Sequence, residues 1–251
     1  MTTSLDLNED LLYPSGDGEP MAENTVQYRW IVILKENLEI IFADDPNVFI
    51  AADMFWYPVQ VKTPPAPRQA PDVMVVFGRP KGDRRSYMQW KENNIPFQVV
   101  FEVLSDSNRT REGRTALDFK FRFYQQYGVE EYYIYDPDEC VLQGWQRQNN
   151  QLVSIAQMSD WTSPRLGIRF GWQPSTELEV YRPNGQRFLS PMELEQQLQQ
   201  ERQRAEQANQ RAERAEQARL GAVPRLRSLG LTPEQIAEAL DLSIDEVRSS
   251  D

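Results

Sequence analysis

Apolar positions crowd the middle of this chain and thin out toward its C-terminus. Val26, Trp30, Val32, Ile33, Leu38 and Ile41 recur at mixed three- and four-residue spacings and predict a helix over 24–42, ended by Asp44, Asp45 and Pro46. The β-branched and aromatic run VFIAADMFWYPV predicts a strand or a bent hairpin strand. VKTPPAPRQAP holds four prolines, each without an amide donor, and is expected as a loop. VMVVF (73–77) and QVVFEVL (98–104) are unbroken apolar runs that suit strands covered on both faces, although periodicity alone does not separate them from buried helix. Leu117, Phe121, Tyr124 and Tyr127 predict a helix over 113–127, with Gly128 as its breaker. EYYIYDP follows as a strand, so a βαβ unit is expected with Glu102 on its first strand. Short strand-like pieces (VLQGWQR, QLVSIAQ, IRFGW, LEVYRP) then alternate with turns, among them Asn184-Gly185, a hairpin signal.

The pattern changes at 191. Ser190, Pro191 and Glu193 form a helix-start signature. Leu194, Leu198, Glu201, Ala205, Ala208, Ala212 and Ala215 then repeat at alternating four- and three-residue intervals, a thin heptad seam suited to a partner helix or to a solvated, ion-pair-laced helix. Thr232 with Gln235, and Ser243 with Glu246, predict two short capped helices packed through Leu231, Ile236, Leu240, Ile244 and Val247. Their acidic character favours a cap or assembly element over a DNA-reading module. The expected organisation is a leader over 1–22, a main domain over 23–190, a charged Ala-rich helix over 191–222 and a helical tail over 223–251.

Composition narrows the chemistry. The chain has 251 residues, 40% of them apolar, with no run suited to a membrane span. Its acidic N-terminus lacks the flank and centre of a secretion signal, and cytoplasm is the expected location. A single cysteine, Cys140, and no histidine exclude a disulfide framework, HExxH zinc chemistry and the Ser–His–Asp triad. No P-loop or dinucleotide fingerprint is present. The net charge of -11 argues against a nucleic-acid coat but leaves room for a local basic track. Residues 79–91 and 109–122 are rich in Arg and Lys and could form one, or could be ordinary solvated segments.

Four residues attract attention. Asp72 opens the apolar run PDVMVVF, where it could be a strand-lip ligand or a simple Pro-Asp turn former. Glu102 stands between Phe101 and Val103, and an unpaired buried carboxylate costs several kcal/mol, so it needs an edge, a metal or a cation such as Arg109, Arg114 or Lys120. Lys120, on the crossover helix with Tyr124 one turn on, could aim an ammonium at these carboxylates or lie on the surface. Glu23 could add a carboxylate or merely complement a helix dipole. Two carboxylates and an ammonium suit a hard ion, Mg²⁺ or Mn²⁺ rather than zinc, and phosphodiester hydrolysis.

PDVMVVF, FEVLSDSNRTREG, the Lys120-to-Tyr124 step and YGVEEYYIYDP, in this order, resemble the putative restriction endonuclease family abundant in cyanobacteria, within the PD-(D/E)XK nuclease superfamily. YPSGDGEPMAENTVQYRW and the Ala/Glu/Arg-rich helix add to the resemblance, which spans most of residues 12–190. It implies an α/β, restriction-endonuclease-like mixed sheet flanked by helices, here with a C-terminal helical extension. It implies Mg²⁺-dependent DNA cleavage and, commonly, homodimers. Asp72 matches the aspartate of the PD motif and Glu102 the acidic residue of the second, the two metal-binding positions. Leu104 stands where the standard motif has lysine, and the resemblance implies that Lys120 replaces it. Glu23 matches an acidic position in the first helix. A second reading is a catalytically weak or inactive relative serving as a DNA-associated interaction protein. RNA cleavage is a third, since no residue singles out a 2′-hydroxyl.

Overall fold

The first apolar stripe becomes helix α1, Thr25–Ile41. In this computed structural model, which describes residues 9, 11–16, 18 and 20–249, the helix starts at a side-chain cap. Asn24 Oδ1 accepts the N–H groups of Val26 and Gln27 at 3.0 and 2.8 Å, satisfying donors that a helix start leaves orphaned. Glu23 therefore precedes the helix instead of sitting in its first turn.

In chain order the strands are β1 (Val48–Ala51), β2 (Trp56–Tyr57), β3 (Val73–Phe77), β4 (Tyr87–Met88), β5 (Val99–Val103), β6 (Glu131–Asp136), β7 (Val141–Gln148), β8 (Gln151–Ser154), β9 (Trp161–Thr162), β10 (Arg169–Gly171) and β11 (Glu179–Tyr181). Six of them form one mixed sheet in the order β1-β3-β5-β6-β7-β8. Within it only β5 and β6 run parallel, joined by helix α2 (Arg111–Tyr127) as the expected βαβ unit. Thr110 caps α2, and Gly128, at φ +100°, ends it in a left-handed turn. The expected single strand across VFIAADMFWYPV is instead two. β1 edges the main sheet and β2 pairs with β4, because the chain turns at Asp53, φ +48°.

Period-two alternation sorts the side chains of the central strands. Val73, Val75, Val99, Phe101 and Val103 face α1, where they pack with Trp30, Ile31, Leu34 and Leu38. Met74, Val76 and Val100 face α2 and pack with Phe123 and Tyr124. Burial on both faces accounts for the unbroken apolar runs of β3 and β5. The small antiparallel sheet β11-β10-β9 adds Phe170 and Val180 to the α1-side core.

Of the leader, residues 1–8, 10, 17 and 19 lie outside the described residues; Tyr13 is buried with Phe55, Tyr57 and Ala66, and its hydroxyl donates to Val61 O at 2.9 Å. Of the two readings of 79–91, a basic track or ordinary segments, the structure spends several of the cations on the fold. Arg79 and Arg84 both grip Glu92, at 2.6 and 2.8 Å, and Lys81 donates to Phe42 O at 2.7 Å. Arg109 likewise pairs with Asp136 and Asp138, each at 2.9 Å.

The chain divides after Pro191 into two compact units. Helix α3 (Pro191–Ser228) continues through Pro224, past residue 222. Its Val223 is buried with Ile236 and Ala237 of α4 (Pro233–Leu240) and Val247 of α5 (Ile244–Ser249). Ile244, expected in that cluster, is exposed. Both capping boxes form: Thr232 with Gln235, and Ser243 with Glu246. No helix among the described residues is long and apolar enough to cross a membrane.

Candidate active site

Alternation along β5 puts Glu102 on the α2 face, and the β3–β5 register decides what it meets there. The antiparallel pairing sets Val73 opposite Phe101. One step beyond, the same register sets Asp72 opposite Glu102, on the same side of the sheet. Asp72 Oδ2 accepts the Val103 N–H at 2.6 Å, which extends the ladder with a side chain and pins the carboxylate beside Glu102.

Helix α2 closes over this pair. Lys120 and Tyr124 are one turn apart and share a face. Lys120 Nζ donates to Glu102 Oε2 at 2.6 Å, and the Tyr124 hydroxyl donates to Oε1 at 2.6 Å. Of the three cations that could meet Glu102, Lys120 does so. Arg109 turns to Asp136 and Asp138, and Arg114 donates to the Arg109 carbonyl. Glu102 is 3% exposed, so both of its oxygens need such donors.

The charges do not balance. Burial, and then the facing Glu102 carboxylate, push the Asp72 carboxyl up to about 7. Burial also works against the Lys120 charge, but Glu102 and Asp72 together outweigh it and raise its pKa. Burial followed by Glu102 lifts the Tyr124 phenol well above its usual value, which keeps it a proton donor. Two carboxylates thus share one ammonium in a partly desolvated corner, leaving a deficit of positive charge.

The corner opens into a pocket of about 410 Å³, whose walls include Glu23, Gln27, Asp53, Arg68, Asp72 and Lys120. Glu23 reaches this wall, but its carboxylate is taken: it accepts the Ser107 hydroxyl and, at 3.3 Å, the Ser107 N–H. The Ser107 hydroxyl bond holds its pKa below the ordinary value. The site therefore brings Asp72, Glu102 and Lys120 together, with Glu23 on the pocket wall and bonded to Ser107 of the turn after β5.

Three neighbours were not singled out by the sequence reading. Gln27, buried on α1, donates to Val103 O at 2.9 Å and accepts the Glu23 N–H at 2.9 Å. The Val103 backbone is thus held at both of its polar groups, by Gln27 at the carbonyl and Asp72 at the N–H. A polar residue one turn before Trp30 and Ile31, in line with the apolar stripe, was the readable signal. Asp53 and Arg68 enter from loops, where periodicity is silent.

The donor set fits a hard divalent ion. Mg²⁺ is commonly held by one or two carboxylates together with waters and substrate phosphate. Asp72 supplies one at the pocket wall, and Glu102 would supply the second through the lone pairs that Lys120 and Tyr124 leave; the raised Asp72 pKa marks the charge deficit such an ion would fill. Among the described residues, no three His, Cys, Asp or Glu side chains form a ready-made shell, so waters and substrate would complete the coordination.

A family model described as "Uma2: Putative restriction endonuclease" matches residues 34–181, more than half of the chain. The chain belongs to the Uma2 family. Asp72, Glu102 and Lys120 lie within the matched Uma2 region, whereas Glu23 and Gln27 precede it. Among solved structures, one similar chain is a putative nuclease belonging to DUF820 from Anabaena variabilis ATCC 29413, at 13% identity and a TM-score of 0.39, covering 58% of this Uma2 chain and 74% of that one. No curated protein matches.

Proposed function

We propose that this protein is a Mg²⁺-dependent endodeoxyribonuclease with a PD-(D/E)XK-type site whose lysine has moved from the strand to the crossover helix. The observation that carries this reading is the clustering of Asp72, Glu102 and Lys120 on one face of the sheet, with Asp72 and Lys120 at the wall of an open pocket and Glu102 buried against Lys120. Asp72 and Glu102 would hold the ion, with Mn²⁺ as an alternative occupant. When bound, Mg²⁺ would neutralise a nonbridging phosphate oxygen and make a water more acidic. Lys120 presents an ammonium that can orient the attacking water and offset charge on the phosphoryl group as it becomes pentavalent. Tyr124 fixes the Glu102 carboxylate, and Gln27 fixes the strand end beside it. Glu23 holds the turn after β5 against the rim and serves as a positioning residue.

DNA is the proposed substrate, on the strength of the family. A homodimer is proposed as the working form, since cutting both strands calls for two sites. The nearly unburied α3, with Leu198 42% exposed on the heptad seam, is available to join the copies. Cleavage of linear, supercoiled and single-stranded DNA, with and without Mg²⁺ or Mn²⁺, tests the reading. Activity that needs the metal and vanishes in E102A and K120A supports it. Activity that survives both substitutions removes the assigned site. The reading of an inactive DNA-associated relative would be favoured by metal-independent DNA binding without cleavage of any of these forms.

A further inference from the structure

The walls of the pocket carry two cations among the described residues, and they stand in different circumstances. Lys120 is committed to Glu102. Arg68 lines the same pocket but pairs with no carboxylate among the described residues. Its guanidinium lies over the Phe55 ring, 4.5 Å from the centroid, and hydrogen-bonds the Tyr57 phenol. Phe55 and Tyr57 are both buried, so this platform is rigid. Stacking an arginine on an aromatic face holds the planar fork in one orientation, and a guanidinium that spends one of its five N–H groups on a phenol keeps others to donate.

An arginine in such a setting has a preferred ligand. Its fork matches the oxygens of a phosphate, and the two N–H···O bonds it can make are stronger than neutral ones. The other charged residues of the wall, Lys120 apart, are acidic (Glu23, Asp53 and Asp72) and would repel a nucleic-acid backbone without a counterweight. Arg68 also stands four residues before Asp72, so extended chain could separate their Cα atoms by at most about 14 Å. That span is of the order of one or two nucleotide steps.

Resting on the nuclease reading of this pocket, we infer that Arg68 is a substrate-binding residue that grips an internucleotide phosphate of the cleaved strand, next to the scissile one. It positions the backbone and carries no sequence information. Its role is electrostatic anchoring at the mouth, distinct from the carboxylates within.

The test uses the full chain and a fluorescein-labelled DNA duplex, with Ca²⁺ replacing Mg²⁺ so that binding is read apart from cleavage. Fluorescence anisotropy compares wild type, R68A and R68K over a salt series. R68A is expected to bind about tenfold more weakly and to lower the salt-dependence slope by about one. R68K, which keeps the charge and loses the fork, is expected to fall between them. A second arm removes phosphate charge one position at a time with methylphosphonate linkages. One position is expected to weaken wild type about tenfold and leave R68A almost unchanged, a coupling that mere loss of Phe55 packing would not give. Equal binding and equal slopes for wild type and R68A, or equal sensitivity of both to every methylphosphonate, would overturn the inference. Wild type that binds with this Arg68 coupling but never cleaves with Mg²⁺ would refute the nuclease reading and leave the phosphate contact standing. Wild type that does not bind DNA would refute the contact.

Discussion

Asp72→Asn separates the cost of the site from its use. Asn has nearly the same shape and keeps a carbonyl oxygen to accept the Val103 N–H, so the β3–β5 ladder should survive. What disappears is the charge. Burial, then Glu102, lift the Asp72 carboxyl from 3.8 to about 7, which corresponds to about 4 kcal/mol. Water still reaches this side chain, and screening reduces the expected figure to about 2 kcal/mol. The sign follows from proton counting. Between 3.8 and about 7 the folded chain binds more protons here than the unfolded chain, so metal-free stability falls as pH rises through that window. D72N escapes the loss. It should be more stable than wild type above about pH 7, with the gap closing toward pH 4. Urea unfolding followed by tryptophan fluorescence measures it cleanly, since all six Trp residues lie in the first compact unit. Mg²⁺ should then stabilise wild type by binding the native form and leave D72N unmoved, and D72N should not cleave DNA. A D72N protein no more stable than wild type at any pH, with a flat difference across the window, would refute the claim of unmet charge at this corner.

Lys120→Ala strands the buried Glu102 charge and should cost about 3–5 kcal/mol in the same urea assay while abolishing cleavage; a stable, active K120A would contradict the pairing. Tyr124→Phe removes one charged hydrogen bond to Glu102 and should cost about 1.5–3 kcal/mol, with cleavage slowed but still measurable in single-turnover assays. Glu23→Gln should retain most of its activity, because its carboxylate already serves Ser107; a loss as complete as that of E102A in the plasmid assay would make Glu23 a catalytic residue. Gly113→Ala would set a Cβ 2.1 Å from Ser107 O and 2.6 Å from Asn108 Cα, forcing the turn after β5 off the start of α2. It should lower stability by about 1–3 kcal/mol and reduce cleavage together, as thermal melts and initial rates would report.

Much of the centre of the fold was legible because burial leaves a plain signature. β3 and β5 are apolar on both faces, and that alone made the carboxylate of Glu102 conspicuous. Its cation was narrowed to three candidates and not fixed, since a choice among Arg109, Arg114 and Lys120 depends on how far α2 advances over the sheet. Side-by-side placement of Asp72 and Glu102 follows from strand register, which no local pattern encodes. Gln27 could have been noticed as a polar break in the α1 stripe. Arg68 and Asp53 could not, because the loops that carry them are placed by Tyr13, Phe55 and Tyr57 packing together over long sequence separations. Whether the arginines of 79–91 form a DNA track or serve the fold stayed open, because composition does not show that Glu92 waits for two of them.

Lodging the ammonium on α2 leaves position 104 to Leu104, which packs against the apolar cluster beneath that helix. The gap between cation and carboxylate is then governed by how a rod rests on a floor. An α-helix advances 1.5 Å and rotates 100° per residue, so a slip of one residue would swing Lys120 out of reach of Glu102 altogether. Phe123, wedged edge-on against Trp56 at 5.5 Å, acts as the detent that stops such a slip. A molecule that pried those two rings apart would break the Lys120–Glu102 pair without ever entering the pocket.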